Sequence, residues 1–282
     1  MGVVALALED AVRSKKYQYK ATKIRFNYSF DSANKFTFVK GDQLSFGRMM
    51  SNLINNAVEA CDDESGIVDI SFNVEDKYAK IVLKDNGAGM SQEMVDKIKA
   101  HLLGIDSTKH PGHGIGLLQV LTTLDLYNGI LDIESEKNTG TTFTIKFPLV
   151  SCPKWIAKRL VFRKGDTVVI LDDDPSVFSI FEHLLKNHSK DLELKFFTKS
   201  RDALNFIESF RDKEKLCFLS DYELRNDDFN GLTVILQSGI KEHSLIITNI
   251  HGDKTIHEVA EQSNVKILPK RFLSDTQVTV TA

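Results

Sequence analysis

The stretch "SNLINNAVEA", Ser51–Ala60, decides the fold of the first half of the chain. Its apolar side chains recur at spacings of three and four, which predicts an amphipathic helix. Asn52 and Asn56 interrupt this pattern, although asparagine is a poor helix former that prefers caps and turns. Asn52, Asn56 and Glu59 share one helix face. A solvated polar face would explain the two asparagines if they stood alone.

Two glycine-rich segments downstream favour a functional explanation. The segment "DNGAGM", Asp85–Met90, follows an apolar strand pattern, and "GHGIGL", Gly112–Leu117, opens a helical pattern. Glycines allow backbone amides to approach phosphates closely, and the N-terminus of a helix favours anions. Each segment is a weak signal by itself. The helix and the two segments together, in this order, predict a nucleotide site.

The elements around these motifs predict the architecture of the first half. Asp42 stands where a helix N-cap belongs, and a helical pattern follows over 43–62. Residues 67–86 alternate as a strand hairpin, helices are expected at 91–102 and from Ile115, and two strands close the block. Strands interleaved with helices in this way predict an antiparallel sheet covered on one face by helices.

The pattern changes from Asp166 onwards. Short, continuously apolar strands alternate with helical stretches, which predicts a parallel doubly wound sheet. Acids, a threonine and a lysine end these strands: Asp172, Asp173, Asp221, Thr248 and Lys270. Because the carboxyl ends of parallel strands meet at one edge, the acids predict a Mg²⁺ site in which one carboxylate can accept a phosphoryl group.

Composition excludes several classes of protein. The chain has 282 residues, 42% of them hydrophobic, and a net charge of -3, which gives no electrostatic footprint for nucleic acid or for a membrane surface. The N-terminal residues lack the features of a secretory signal. Cys61, Cys152 and Cys217 form neither a metal-binding spacing nor an even disulfide set, which favours a reducing, cytoplasmic location.

The first half, from about residue 3 to 150, resembles the ATP-binding domain of sensor histidine kinases, whose fold is shared with gyrase, MutL-type proteins and the large heat-shock chaperone. "NLINNAVEA" resembles the asparagine box of that family, "DNGAGM" and "GHGIGL" its first two glycine boxes, and "GTTF" from Gly140 its last. The resemblance implies an α+β two-layer sandwich, the Bergerat-type ATP-binding fold, with ATP and Mg²⁺ as cofactors.

The resemblance also implies roles for individual residues. Asn56 would coordinate Mg²⁺ with Asn52 beside it facing the phosphates, and Asp85 would accept a hydrogen bond from the adenine amino group. Glu59 stands where many such kinases carry a basic residue, so Lys109 is expected to supply the cation. The implied nucleotide-binding set is Asn52, Asn56, Asp85, Gly87, Gly89, Ser107, Thr108, Lys109, Gly112, His113, Gly114, Ile115, Gly116, Leu117 and Thr142.

The second half, from about Asp166, resembles a receiver domain of the two-component type, which implies an α/β doubly wound, flavodoxin-like fold. Asp172 and Asp173 match the acidic pair that holds Mg²⁺, and Asp221 matches the phosphoacceptor, which shares that ion. Thr248 matches the switch hydroxyl of receivers, and Lys270 matches their lysine. Three features depart from the receiver pattern. The order "PK" reverses the usual lysine-proline pair, the loop after Asp221 is about two residues longer, and "SDTQVTVTA" is typical of a strand where a last helix is expected.

The two resemblances together are those of a hybrid sensor histidine kinase fragment that transfers the γ-phosphate of ATP to a histidine and on to Asp221. The expected organisation is a remnant of a dimerisation hairpin helix at 1–20, the ATP-binding domain at 21–150, a linker at 151–165 and the receiver at 166–282.

The first histidine, His101, follows the asparagine box, so the phosphoacceptor histidine is expected on a dimerisation domain upstream or in trans. The other expected partner is a downstream response regulator or phosphotransfer protein. The parent protein is expected to be a homodimer in the cytoplasm, with or without an anchor in the inner membrane.

Two alternatives stay open. One is a non-catalytic ATP-sensing interaction module with a degenerate receiver. The other is a gyrase-type ATPase, which Asn52 disfavours, because hydrolytic relatives carry a glutamate there to activate water.

Overall fold

The computed structural model describes residues 2–62, 64–102, 115–249 and 254–282. The chain forms two compact units, Met1–Cys152 and Pro153–Ala282.

The described residues of the first unit form four α-helices and seven strands. They are β1 Gly2–Val3, α1 Val4–Gln18, β2 Arg25–Phe30, β3 Phe38–Val39, α2 Gln43–Ala60, β4 Ile67–Glu75, β5 Tyr78–Asp85, α3 Gln92–Leu102, α4 Ile115–Tyr127, β6 Ile130–Glu136 and β7 Gly140–Val150. The strands form one sheet in the order β1-β3-β7-β5-β4-β2, and β6 also pairs with β7.

Most neighbours in this sheet are antiparallel, as predicted, but the pair β2–β4 is parallel, with Arg25 opposite Ile67 and Phe30 opposite Phe72. The prediction of an antiparallel sheet was therefore wrong at this edge. The reason is topological: the chain between β2 and β4 contains α2, and a helical crossover of this length can bring the next strand back in a parallel sense.

Helix α2 begins as the sequence predicts. The Asp42 side chain accepts a hydrogen bond of 2.8 Å from the backbone N–H of Ser45, which satisfies one of the unpaired donors of the first turn. The Tyr127 hydroxyl donates to the same carboxylate over 2.7 Å and ties the end of α4 to the start of α2. The apolar side of α2 is buried at Phe46, Met49, Met50, Leu53, Ile54, Ala57 and Val58.

Helix α1 packs against α2 within the same unit. Its apolar side, including Ala5, Leu8 and Val12, is buried. A helix of a dimerisation hairpin needs that apolar side for its partner helices. The structure therefore places α1 in the first unit, and the hairpin remnant expected at 1–20 stays a prediction.

The second unit is built around a five-stranded parallel sheet. Its elements are β8 Arg159–Arg163, β9 Thr167–Leu171, α5 Ser176–Leu184, β10 Glu193–Phe197, α6 Ser200–Ser209, β11 Leu216–Asp221, α7 Gly231–Ser238, β12 Ser244–Thr248, α8 Lys254–Ser263, β13 Lys266–Pro269, a 3₁₀ segment Lys270–Asp275, and β14 Gln277–Thr281. The order is β10-β9-β11-β12-β13. Every residue of β9 and β11 is buried, as expected for central strands covered on both faces.

The stretch 151–165, expected to be a linker, is largely part of the second unit. The alternating segment "RLVFR" forms β8, which buries Leu160 and Phe162 and pairs in parallel with β14. Upstream of β8, the Ala157 N–H donates to the carbonyl of Ile267 over 2.9 Å. The strand character expected for the C-terminal "SDTQVTVTA" is confirmed, since β14 follows the 3₁₀ segment where a helix would otherwise stand.

Candidate functional site: a nucleotide cavity and an acidic cluster

The floor of the candidate site in the first unit is the carboxylate of Asp85. Residues Ala79, Ile81 and Leu83 alternate along β5 on its buried face, and Asp85 continues that alternation. The aspartate is consequently buried, with 3% of its surface exposed. Its Oδ1 accepts hydrogen bonds from the backbone N–H groups of Gly87 and Thr141, over 2.9 and 3.2 Å.

These contacts set the protonation of Asp85. Burial raises its pKa above the ordinary value, and the two backbone hydrogen bonds oppose that shift without cancelling it. Within the described part of the chain no donor reaches Oδ2. A buried carboxylate with a free acceptor oxygen is suited to a ligand that offers an N–H group.

Asp85 opens into a cavity of about 530 Å³. This volume lies within the roughly 300–1,000 Å³ typical of small-molecule sites. The lining includes Asn52, Asn55, Asn56, Glu59, Asp85, Gly89, Met90, Ile98, Gly116, Leu117, Thr141 and Phe143. The polar face of α2 therefore meets the end of β5 across one cavity, as the sequence predicts.

Asn52 is held between two helices. Its side-chain amide donates to the carbonyl of Gly116 over 3.3 Å and to Oε1 of Gln119 over 2.9 Å, both on α4. Asn56 lies one turn further along α2 and lines the same cavity. The asparagines are thus explained by the cavity and by contacts with α4, not by a solvated face.

Gly87 and Gly89 serve close packing of the backbone. A Cβ on Gly87 would lie 2.5 Å from the carbonyl oxygen of Ala60, and one on Gly89 would lie 2.0 Å from that of Glu136. Gly89 also has a φ of +62°, which side-chain-bearing residues rarely adopt. From the sequence, these glycines are expected only to let backbone amides approach phosphates. The structure shows that a side chain at either position would collide with the neighbouring backbone, so the fold also requires glycine there.

One residue predicted to lie at the site, Thr142, does not line the cavity, whereas its neighbour Thr141 does. The cavity is lined by Thr141, whereas Thr142 is expected from the sequence. Along β7 buried positions alternate from Thr141 through Phe143 and Ile145 to Phe147, so strand alternation directs Thr142 to the other face of the sheet. The same alternation, read from the sequence, could have identified Thr141.

The loop before α4 carries several predicted ligands. Ser107, Thr108, Lys109, Gly112, His113 and Gly114 lie outside the described residues. Ile115 is the first residue of α4, and the next two residues, Gly116 and Leu117, line the cavity, so their contact with a nucleotide stays a prediction.

The second unit holds a cluster of acids around one lysine. Lys270 Nζ lies 2.7 Å from Oδ2 of Asp172 and 2.5 Å from Oδ2 of Asp221, and both aspartates are buried. The reversed "PK" order therefore leaves the ammonium group in direct contact with the predicted acceptor. Burial raises the pKa of Asp221 to about 6, although the hydrogen bond from Lys270 opposes the shift. Burial likewise raises the pKa of Asp172.

The cluster has the donor set of a divalent-cation site. One carboxylate oxygen each from Asp172, Asp173 and Asp221 lies within 4.8 Å of the others. Hard cations such as Mg²⁺ prefer carboxylate oxygens, and water completes their coordination. Thr248 ends the neighbouring strand β12 and is buried.

Comparison with known proteins identifies the class of the first unit. Residues 41–151 match the family described as histidine kinase-, DNA gyrase B- and HSP90-like ATPase. This segment is therefore similar to the ATP-binding domain that histidine kinases share with these ATPases. The match includes α2, β5 and β7, which carry the cavity.

Individual relatives agree with this class. The chain is 32% identical to sporulation kinase A of Bacillus subtilis over 125 residues, which are 44% of this chain and 19% of the relative. It is 36% identical to sporulation kinase C of the same organism over 113 residues, 40% of this chain and 26% of the relative. The chain thus spans about a fifth to a quarter of these curated relatives.

Two solved structures are similar at lower identity. The match to full-length ShkA in complex with AMPPNP spans 95% of this chain and 53% of the ShkA chain, with 16% identity and a TM-score of 0.44. The match to the mycobacterial sensor histidine kinase MprB spans 51% of this chain and 92% of the MprB chain, with 20% identity and a TM-score of 0.41. These scores add nothing to the match in sequence. Among the described residues, no helix combines the length and apolar character needed to cross a bilayer.

Proposed function

We propose that this chain is the ATP-binding catalytic part and the phosphoacceptor part of a hybrid histidine kinase. The observation that carries the proposal is the convergence of the Asn52–Asn56 face of α2 and the buried carboxylate of Asp85 on one cavity. A second, independent observation supports the phosphoacceptor part: the Asp172–Asp221–Lys270 cluster lies at the carboxyl ends of parallel strands.

The described residues fit ATP. Oδ2 of Asp85 would accept a hydrogen bond from the adenine amino group, whereas the keto oxygen of guanine would leave the buried carboxylate unpaired. The polar residues of α2 lie along the same cavity wall, where the phosphates would be received. Asn56 would hold Mg²⁺ through its side-chain oxygen, and this ion would offset charge on the phosphates.

The same residues favour transfer over hydrolysis. A histidine nitrogen of the partner domain attacks the γ-phosphorus in line, a P–N bond forms, and the bond to the β–γ bridging oxygen breaks as ADP leaves. Water would need a base for the competing reaction. Asn52 cannot accept a proton, and its amide is committed to Gly116 and Gln119. Lys109, Ser107 and Thr108 stay predicted phosphate contacts.

The second unit is proposed to be a receiver. Its strand order, β10-β9-β11-β12-β13, corresponds to the flavodoxin-like order 2-1-3-4-5, which binds ligands at the carboxyl ends of the strands. An oxygen of Asp221 would attack the phosphorus of phosphohistidine, and the P–N bond would break. Asp172 and Asp173 would hold Mg²⁺, Lys270 would pair with a phosphoryl oxygen, and the hydroxyl of Thr248 would contact another.

The proposed partners follow from this chemistry. A domain with a phosphoacceptor histidine, in the same protein or in trans, would meet the first unit. A response regulator or phosphotransfer protein would act downstream, and the parent protein is proposed to be a cytoplasmic homodimer.

Two binding measurements test the two units separately. Calorimetry with Mg·ATP and Mg·GTP should give binding of ATP and much weaker binding of GTP, and equal affinity for the two would contradict the role of Asp85. Beryllofluoride with Mg²⁺ should give a bound ¹⁹F signal in the wild type and none in Asp221→Asn. The absence of that signal in the wild type would mean a degenerate receiver that serves for docking only.

A further inference from the structure

Asn55 is a third asparagine of helix α2 that lies on the wall of the nucleotide cavity, and the nucleotide-binding set expected from the sequence does not include it. It follows Asn52 by three positions, so the two side chains share the polar face of the helix. The side chain is half-buried. The amide group of Asn55 is therefore within reach of a ligand that occupies the cavity.

The hydroxyl of Tyr19 holds this amide group by its oxygen. It donates a hydrogen bond of 3.0 Å to Oδ1 of Asn55. Within the described part of the chain, the NH₂ group of the same amide has no acceptor. An amide NH₂ group that lines a cavity and lacks an acceptor is suited to a ligand that offers an oxygen.

Tyr19 is held by contacts of its own backbone and ring. Its N–H donates to the carbonyl of Lys15 over 2.9 Å, and its carbonyl accepts from the N–H and the hydroxyl of Thr22 over 3.0 and 2.7 Å. Its ring stacks on that of Phe26, with the ring centres 6.3 Å apart. The hydroxyl is thus directed to Asn55 before any ligand binds, and such preorganisation lowers the entropic cost of binding.

The position of Asn55 along α2 indicates which part of a nucleotide it would meet. At one end of the wall, the carbonyl of Ala60 accepts a hydrogen bond of 2.8 Å from the N–H of Ala88, three residues after Asp85. At the other end, Asn52 contacts α4. A helix rises 1.5 Å per residue, so about 8 Å of α2 separates Asn55 from Ala60 and about 5 Å separates it from Asn52. Asn55 is therefore nearer to the end where the phosphates would be received.

We propose that Asn55 is a further nucleotide-binding residue, whose NH₂ group donates to a phosphate oxygen, and that Tyr19 is the positioning residue that orients it. The proposal deepens the proposed binding of ATP in this cavity and rests on it. It gives a part in ligand binding to a residue that precedes the 41–151 family match.

A ligand series on the full chain, measured by calorimetry, tests the proposal. Asn55→Ala should weaken the binding of ADP and ATP about 3- to 10-fold and leave adenosine binding unchanged, because one hydrogen bond to a phosphate is lost. Asn55→Asp keeps the acceptor for Tyr19 but replaces the NH₂ group by a charged oxygen, so it should weaken ATP binding at least as much.

The role of Tyr19 is tested by removing its hydroxyl alone. Tyr19→Phe should weaken ATP binding about 2- to 5-fold in the wild-type background and not further in the Asn55→Ala background, because the two residues act through one contact. Tyr17→Phe, at an exposed position of α1, is the matched control and should change nothing.

The outcomes separate this inference from the function on which it rests. If the wild type binds neither ATP nor adenosine, the proposed function fails, and the inference fails with it. If the wild type binds ATP and either Asn55 variant binds it equally well, only the inference is overturned. Equal losses for ATP and adenosine would show that Asn55 supports the fold or meets another part of the ligand, which would likewise overturn it. An undiminished effect of Tyr19→Phe in the Asn55→Ala background would overturn the positioning role of Tyr19.

Discussion

Replacing Asp85 by asparagine separates recognition of the adenine from integrity of the fold. The variant keeps an oxygen that can accept the two hydrogen bonds from Gly87 and Thr141, over 2.9 and 3.2 Å. The atom that changes is Oδ2, which becomes an NH₂ group. An amide NH₂ cannot accept a hydrogen bond from the adenine amino group. Both groups are donors, so they would face each other without a hydrogen bond.

The expected loss follows from the burial of the site. A hydrogen bond to a charged, desolvated acceptor is worth about 1–3 kcal/mol. Asp85→Asn should therefore weaken ATP binding by roughly 5- to 150-fold. Binding of GTP should not weaken and should gain relative to ATP, because the new NH₂ group can donate to the guanine keto oxygen.

The same substitution, which weakens ATP binding, should not lower the stability of the ligand-free protein. Burial raises the pKa of Asp85, so the folded state binds a proton more tightly than the unfolded state. The corresponding stability is present below the unfolded pKa and is lost as pH rises through the folded pKa. Asparagine is neutral at every pH, so the melting temperature of Asp85→Asn at neutral pH should equal or exceed that of the wild type.

Calorimetry with ATP and GTP, together with thermal unfolding of the ligand-free proteins, measures these quantities. Asp125→Asn, at an exposed position on α4, is the matched control and should leave both affinities unchanged. Unchanged ATP affinity in Asp85→Asn would refute the adenine assignment. A fall in melting temperature that accompanies a loss of all binding would show instead that Asp85 is structural.

Three further predictions concern the metal, turnover and pH. Asn56→Ala should lower ATP affinity chiefly in the presence of Mg²⁺, and calorimetry with and without EDTA should show the difference; an equal loss in both conditions would contradict the metal role. The chain alone should turn over ATP at a negligible rate in a coupled assay, because Asn52 supplies no base, and steady hydrolysis that Asn56→Ala abolishes would contradict this. In EDTA, the unfolding free energy of the second unit should fall as pH rises through the Asp221 pKa of about 6, because the folded state retains the proton longer. Urea titrations of Asp221→Asn should lack this part of the pH dependence, and an identical profile in the variant would argue against the raised pKa.

The parts of the fold that could be predicted from the sequence are those fixed by local physics. The N-cap at Asp42 and the amphipathic pattern of α2 need only neighbouring residues, and both are confirmed. The burial of Asp85 follows from period-two alternation along β5. The lysine of the acidic cluster could also be placed, since the strand end fixes Lys270 whatever the order of the adjacent proline.

The parts that could not be predicted depend on partners distant in sequence. The parallel pairing of β2 with β4 is decided by the path of the whole unit and not by either strand. β8 was expected to lie within a linker because its partner, β14, is more than a hundred residues away. The hydrogen bond from Tyr19, which follows α1, to the cavity residue Asn55 gives no signal in any local pattern.

Transfer of radiolabel from [γ-³²P]ATP tests the central claim most directly. The full chain is incubated with Mg²⁺ and a helical-hairpin domain that carries a phosphoacceptor histidine, and the acid-labile and alkali-labile phosphate is followed on each protein. The account predicts that label appears on the hairpin histidine and then on this chain, that Asp221→Asn retains it on the hairpin, and that Asn56→Ala yields none. Label that never reaches the histidine while the chain binds ATP, or label on this chain that survives Asp221→Asn, would contradict the account.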